Sequence, residues 1–522
     1  MAQHHGDRLT AVDASFLHQE GENSHMHVGA VTIFEGPPPA FDESLELLRS
    51  RLHLVPRYRQ KLSFPPAGTG RPMWVDDPDF NLEYHVRRTG LPEPGSEEQL
   101  FALAARIFSQ RLDRSRPLWE LWSVEGLEGG RFALISKSHH AMIDGISGVD
   151  LATVLFDLTP TPREVENDGK PWQPAREPGT VDHVITSARG FVGGGLHLAG
   201  RAVDAVAHPE RTLAVAREAA EGLGEIVWAG LNPAPATPLN VEIGPHRRLV
   251  GVRCELADLR LVKSAFGTTV NDVVLAVVTG ALRDWLQSRG VRTEGLELRA
   301  LVPVSIRSED EHNTLGNRIA AMRGPLPVYI DDPLVRLRAV KEGMDGLKQS
   351  KQAVGAEVLA NVQNFAPPTI LAQASRLNFS TRLFNLIVTN VPGPQFPLYV
   401  YGRELLDVFP VAFLPEHHAL AIAIMSYNGK VNFGLLGDLD ALPDIDSIAE
   451  GITAQLEELV ALAIAIMSYN GKINFGLLGD YDALPDIGRI ADGIEASLSE
   501  LVSLAGRATA GRAGGRDPLP TA

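Results

Sequence analysis

The chain repeats itself once, and that repeat limits what its C-terminal part can build. Residues 419–460, ALAIAIMSYNGKVNFGLLGDLDALPDIDSIAEGITAQLEELV, are followed directly by 461–502, ALAIAIMSYNGKINFGLLGDYDALPDIGRIADGIEASLSELV, and 34 of the 42 positions are identical. Each unit reads as strand, Asn-Gly turn, strand and helix, because a two-residue hairpin needs two positive φ angles and Asn-Gly supplies them. Two copies are too few for a solenoid, which needs about three or more stacked units to bury a continuous core. A sheet offers one slot to such a hairpin. One copy is therefore expected to fill it, and the other to dock on an edge, extend the sheet or stay loosely attached. A recent tandem duplication, or an artefact of the gene sequence, is the plain reading of the repeat.

At ~100–200 residues per domain, 522 residues suggest two to four domains. Residues 1–160 read as mixed α and β. GAVTIFEG (29–36) and RFALISKSHH (131–140) are β-rich runs, whereas FDESLELLRSRL (41–52) and EEQLFALAARIFSQRL (97–112) carry apolar residues at helical spacing. GISGVDLATVLFDL (145–158) reads as a further helix. The Pro-rich, charged stretch 159–179 is a boundary, 180–232 is mostly amphipathic helix broken by GFVGGG (190–195), and NPAPATPLN (232–240) is a second linker. Together 161–245 form an expected linker and helical crossover, and 246–502 a second domain that ends in the duplication. That domain is expected to contain a strand at 247–256, a helix at 271–290 closed by Gly290, a strand at 296–307, a helix at 335–350 and a strand at 384–394. The tail, 503–522, is small, polar and expected to be disordered.

Composition excludes several classes of function. Formal charge is −16, a poor match to nucleic acid, whose phosphates are met by Lys and Arg. The single cysteine, Cys254, rules out an intrachain disulfide and any Cys-rich zinc site. The N-terminus lacks a secretory apolar core. Runs such as VVLAV (273–277) and LVALAIAIM (459–467) fall far short of the ~18–20 residues a membrane span needs. A cytoplasmic protein, soluble or at a membrane surface, is the expectation.

The stretch that carries chemistry is Lys137-Ser138-His139-His140-Ala141-Met142-Ile143-Asp144-Gly145, which follows a strand and precedes a helix. Neighbouring residues on a strand face opposite ways, so only one of His139 and His140 easily enters a given cavity. Gly145 lets the backbone turn sharply, and Asp144 can fix the loop by pairing with an arginine or with backbone N–H groups. Two plainer uses stand beside this one. Paired histidines can be satisfied core residues, and His140 with Asp144 could ligate a metal at i, i+4 spacing, though no third ligand of matching spacing appears. No metal site is expected.

An HHxxxDG at a strand end resembles that of the bacterial wax ester synthase/acyl-CoA:diacylglycerol acyltransferases, within the wider chloramphenicol-acetyltransferase-like superfamily. Further segments are similar to the narrower family: LTAVDASFL (9–17), MHVGAVTIFEG (26–36), PRYRQKL (56–62), SRPLWELW (115–122), NDVVLA (271–276), VPVSIR (302–307), GNRIA (316–320), TNVPGP (389–394) and MSYNGKVNFGLLGD (425–438). The likeness spans roughly 8–502 and departs at the extra 42-residue unit. It implies an α/β (mixed α+β) fold of two chloramphenicol-acetyltransferase-like domains. Each would be a mixed sheet flanked by helices, with a helical crossover joining the two and a tunnel at their interface.

The resemblance also implies an activity. A long-chain acyl group would pass from acyl-CoA, a co-substrate rather than a cofactor, to the hydroxyl of diacylglycerol or a long-chain fatty alcohol. The second histidine, His140, would be general base, since a neutral imidazole can take the hydroxyl proton as attack occurs. Supporting His139, architectural Asp144 and the Gly145 turn complete the motif. Asn271 is a candidate oxyanion partner, or equally a helix N-cap. Pro117, Leu118 and Trp119 are candidates for substrate contact, or for a packed turn. Arg57, Arg59, Arg307 and Arg318 are candidate partners of Asp144. His417-His418 lacks the following Asp-Gly and reads as structural or tunnel-lining. Transfer would be direct, with Cys254, Ser138 and Ser147 not needed as nucleophiles. Location would be cytoplasmic, or peripheral at the inner membrane or a lipid-droplet surface, where the 180–232 helices would either touch lipid or pack between domains. A condensation-type transferase using carrier-bound substrates shares the histidine motif, but its later DFGWG-type motif is not found and no carrier domain is fused. A non-catalytic lipid-binding relative is the third reading.

Overall fold

The computed structural model describes residues 8–65, 71–142, 155–163, 165, 172–176, 232–305, 319–349, 379–469 and 472–477, with 491–493, 495 and 498. Two six-stranded mixed sheets organise it. The first is built from β1 (His27–Phe34), β4 (Val86–Gly90), β5 (Trp119–Glu125), β6 (Phe132–His139), β11 (Tyr399–Val400) and β12 (Arg403–Val411), in the order β11-β12-β1-β6-β5-β4. β2 (Gln60–Ser63) and β3 (Met73–Asp76) form a separate hairpin. The second sheet contains β7 (Arg247–Glu255), β8 (Leu298–Ser305), β9 (Ile319–Leu326), β10 (Leu386–Pro392), β13 (Leu420–Tyr427) and β14 (Lys430–Asp438), in the order β7-β14-β13-β10-β8-β9. The helices are α1 (Ala11–Gln19), α2 (Phe41–Arg51), α3 (Leu82–His85), α4 (Glu97–Ser109), α5 (Leu256–Phe266), α6 (Val270–Ser288), α7 (Pro333–Gln349) and α8 (Ile445–Ala461).

The alternation read in 131–140 sorts side chains onto two faces of β6. Ala133 and Ile135 enter the larger core with Val31 and Ile33 of β1, while Phe132 and Leu134 join a smaller core with Leu48, Leu118 and Trp119. Register sets Val31 opposite Ile135 and His27 opposite His139, so both pairs share the Ala133 face. Helix α4 starts on a capping box made by Ser96 and Gln99. Its far end is held by buried Lys137, whose ammonium donates to the carbonyls of Ile107 (2.9 Å) and Gln110 (3.0 Å). α6 is buried almost all round, from Asp272 to Leu282, as a helix apolar on every side must be. Gly290, just past its end, takes the left-handed φ of 72° that suits a glycine there.

Two observations bear on the expected organisation. The stretch 246–502 does not stay in one sheet, because β11 and β12 cross over and add to β1 of the first sheet. β1 would otherwise be an open edge, and β12 closes it with a run of antiparallel pairs from Gly29–Val411 to Phe34–Leu405. The second concerns the repeat. Its first copy supplies β13 and β14, turns through Asn428 (φ 44°) and Gly429 (φ 85°), and fills the slot between β10 and β7. Both neighbours are then paired, so the second copy's β15 (Ile464–Tyr469) and β16 (Lys472–Leu477) pair only with each other among the described residues.

The sheets meet where side chains are absent. Gly434 of β14 lies opposite Gly251 of β7. A Cβ on Gly434 would stand 1.9 Å from the carbonyl oxygen of Pro410 in β12, and one on Gly251 would stand 2.5 Å from the Phe101 ring. These two positions let β12 of the first sheet lie directly on the second. The amphipathic segment 180–232, the helix expected over 145–158 except at its end, and the tail lie outside the described residues.

Candidate active site

β6 delivers the two histidines to different surroundings. His139 is its last residue, and His140 begins the single 3-10 turn His140–Met142. The backbone there is fixed twice: His139 N–H donates to the Leu118 carbonyl (2.9 Å), and His140 N–H to the Met26 carbonyl (2.8 Å). The His140 ring then stacks on Phe16 of α1, with centroids 4.0 Å apart, and meets Phe413 edge-on at 5.6 Å. Its Nδ1 is buried and takes no hydrogen bond from another of the described residues. Burial, and secondarily the charge His139 can carry, push its pKa down to about 4. The ring is therefore neutral at pH 7.

His139 faces the other way. Its Nδ1 accepts the Ala141 N–H (3.0 Å), and its Nε2 lies 3.2 Å from Glu20 Oε1. Burial alone would raise the Glu20 carboxyl, but neighbouring His139, and then Arg114, outweigh it and hold the group well below the usual carboxylate range. Arg114 donates to Glu20 through Nε (3.1 Å) and also through Nη2, and Arg111 adds a contact at 3.3 Å. His27 lies beside this pair, its Nε2 4.0 Å from Glu20, and His25 stacks on His27 at 5.3 Å. Burial lowers both, His25 to about 4 and His27 well below its ordinary value. Among the described residues no group of three or more His, Cys, Asp or Glu is placed to hold a metal ion.

The other sequence candidates fall in several places. Asp144, Gly145, Ser147, Arg307 and Arg318 lie outside the described residues. Arg57 sits over the Trp74 ring and Arg59 over Trp172. Asn271 is not the cap of α6. Thr269 caps it, in a reciprocal box with Asp272, and the side-chain Oδ1 of Asn271 accepts instead from Asn390 Nδ2 (3.3 Å) in the TNVPGP segment. Pro117, Leu118 and Trp119 are buried. Trp119 stacks on His85 at 4.7 Å and donates through Nε1 to the Tyr58 carbonyl (2.8 Å), while Leu118 receives the His139 amide. His418 is fully buried, with its two ring nitrogens against the carbonyls of Glu416 and Phe384.

Sequence reasoning does not single out Glu20, Phe16, His25, His27, Arg114 or Phe413. The His25-x-His27 spacing at a strand entry was the available signal, since it sets both rings on one side. A lone glutamate after a helix carries none.

Two mixed sheets, with a histidine pair at the end of β6 in the first, are the fold of the chloramphenicol-acetyltransferase-like class. Residues 9–274 match the family model for the wax ester synthase/diacylglycerol acyltransferase catalytic domain, and 315–460 and 459–502 each match the C-terminal domain of the same family. The chain belongs to the wax ester synthase/diacylglycerol acyltransferase family. It is 36% identical over 458 residues to a probable diacylglycerol O-acyltransferase, tgs1, of Mycobacterium tuberculosis, covering 87% of this chain and 96% of that one. It is 34% identical over 462 residues to tgs2 of the same species, covering 87% and 98%. The solved wax ester synthase/diacylglycerol acyltransferase of Marinobacter aquaeolei VT8 is 29% identical with a TM-score of 0.60, covering 88% of this chain and 100% of that one. A starter condensation domain of rhizomide synthetase, 13% identical with a TM-score of 0.51, shares the fold over 88% and 94%. No single described helix is long and apolar enough to cross a membrane. α5 and α6 pass that test only as a pair bent by 102°.

Proposed function

We propose that this chain moves a long-chain acyl group from acyl-CoA directly to the hydroxyl of diacylglycerol, of a long-chain fatty alcohol, or of both, with His140 as general base. The observation that carries the reading is the state of the His140 ring, which is desolvated between two phenylalanines and held neutral by its depressed pKa. The printed names of the relatives support the acceptor class. The hydroxyl proton passes to the imidazole as the oxygen attacks the thioester carbonyl. The C–S bond then breaks, and the proton leaves on the CoA thiol. Burial that keeps the ring neutral also disfavours the imidazolium, so the proton is passed on rather than stored.

Asn271 is assigned to the oxyanion. The support is its place in the family's ND motif and the fact that Thr269, not Asn271, caps the helix. Asp144 and Gly145, outside the described residues, are assigned the architectural and turn roles that the family motif implies. Direct transfer needs no acyl-enzyme, and the one thiol suits none: burial, with Asp258 and Glu255, pushes Cys254 up to about 12. No cofactor enters this scheme. Because the acceptors reside in lipid, the enzyme works at a membrane or lipid-droplet surface, and nucleic acid has no part in it.

The test is CoA thiol release from palmitoyl-CoA with diacylglycerol or hexadecanol as acceptor. Loss of a general base costs roughly 10²–10⁴-fold, so H140A should drop acceptor-dependent release by that factor while staying folded. A folded H140A with wild-type turnover refutes the assignment.

A further inference from the structure

We propose that Glu20, clamped by Arg114, is a positioning residue for the histidine pair: its carboxylate locks His139 in one tautomer and orientation, and His139 in turn fixes the turn that carries His140. The inference rests on the reading of His140 as base. A ring nitrogen that accepts an N–H carries a lone pair, not a proton. Because Ala141 N–H points at Nδ1, the proton of His139 is on Nε2, and Nε2 faces Glu20. Both side chains are 1% exposed, so water does not substitute for either partner. With its Nδ1 accepting from Ala141 and its Nε2 3.2 Å from the Glu20 carboxylate, the imidazole bridges the end of α1 and the His140–Ala141 peptide.

The clamp ties this bridge to the rest of the site. Arg114 also donates to the Leu17 carbonyl (2.9 Å), so it binds the last turn of α1 and the carboxylate together. One residue earlier on α1, Phe16 forms the face on which the His140 ring stacks. A single helix thus touches both histidines, His140 through Phe16 and His139 through Glu20. Arg114 lies three residues before Pro117, so the segment that clamps Glu20 runs into the one whose Leu118 carbonyl receives the His139 amide. No proton moves onto Glu20 in this scheme; its carboxylate orients the ring across the 3.2 Å contact.

The experiment uses the full chain and the palmitoyl-CoA assay with diacylglycerol or hexadecanol, on E20A, E20Q, H139A, the E20A/H139A double variant and H140A, with melting temperatures for all. E20A should lose about 10- to 100-fold in kcat, the size of a hydrogen bond to a charged group, with KM for palmitoyl-CoA little changed. E20Q, whose amide oxygen can still face Nε2, should recover most of the loss. The double variant should be no slower than H139A, because Glu20 acts through His139. If E20A does not fold, Glu20→Met, which keeps the volume and removes the acceptor, takes its place under the same criteria. A folded acceptor-free variant within about twofold of wild-type kcat overturns the proposal. So does an E20Q as slow as E20A, or a double variant slower than H139A by the full E20A factor. An active H140A would instead bring down the reading of His140 as base, which separates the two failures.

Discussion

Replacing Gly434 by alanine tests how the two sheets meet. The new Cβ would lie 1.9 Å from the Pro410 carbonyl oxygen, and an ordinary contact begins near 3.4 Å, so β12 and β14 must separate by about 1.5 Å. Neither strand is free to yield. β12 is paired along β1, and β14 is paired on both edges, with β13 and β7. Overpacking a core typically costs ~1–3 kcal/mol and occasionally more; backbone pressed on backbone puts this case at about 3 kcal/mol. At roughly 2–4 °C per kcal/mol for a domain of this size, the melting temperature should fall by about 6–12 °C. Activity should fall with it, because Phe413, two residues past the end of β12, lies edge-on to His140. Differential scanning fluorimetry and CoA release measure both effects. Gly476, the matching position in the second copy, is the control: β16 pairs only with β15 among the described residues, so G476A should leave the contact between the two six-stranded sheets untouched and melt within about 1 °C of wild type. A wild-type G434A would show that the second copy can fill the slot between β10 and β7. Equal losses in the two variants would show that both hairpins are packed. Either result refutes the argument.

Two further predictions follow from the same structure. A chain ending at Ala463, just past the end of α8, should keep its melting temperature and its acyl transfer, because the slot in the second sheet is filled by the first copy; gel filtration, melting and CoA release check this. Stability should also fall as pH drops from about 6.5 towards 4. In that window the unfolded chain protonates histidines that stay neutral in the fold, His25 and His140 down to about 4 and His27 lower still. The unfolded state thus binds more protons, so unfolding free energy rises with pH there, and urea melts from pH 4 to 8 should show that slope. Glu20, held low in the fold, adds a loss that starts only below the unfolded carboxyl range, near 4.5. Above about pH 7.5 stability should no longer change through these groups, the base's charge state should not change between pH 6 and 8, and a steep activity limb near pH 6.5 would count against His140 as drawn.

Much of the site was legible in the chain and some of it was not, for a physical reason in each case. The HHxxxDG motif is local: a strand end, two adjacent histidines and a turn residue lie within seven positions, so the sequence places them without help. That His139 and His140 diverge follows from strand geometry alone. What His139 turns towards does not, since Glu20 lies 119 positions away and reaches it only because β1 pairs with β6 and brings the end of α1 alongside. Asn271 shows the opposite error. Asn suits a helix cap, but the competing Thr269-x-x-Asp272 box two residues earlier satisfies both orphan backbone groups and takes the position.

The sequence by itself determined the local elements, from the alternation of 131–140 to the Asn-Gly hairpin of the repeat, because φ/ψ preference and side-chain period act over a few residues. It also determined the family, since the motifs are contiguous. Only the tertiary structure decided that β11 and β12 leave their half of the chain to close β1, that the first copy of the repeat rather than the second enters the sheet, and that Phe16 and Phe413 enclose His140. Each of these depends on which edge is left unpaired or which surface is left unburied once everything else has packed. That is a property of the assembled chain, and no window of the sequence contains it.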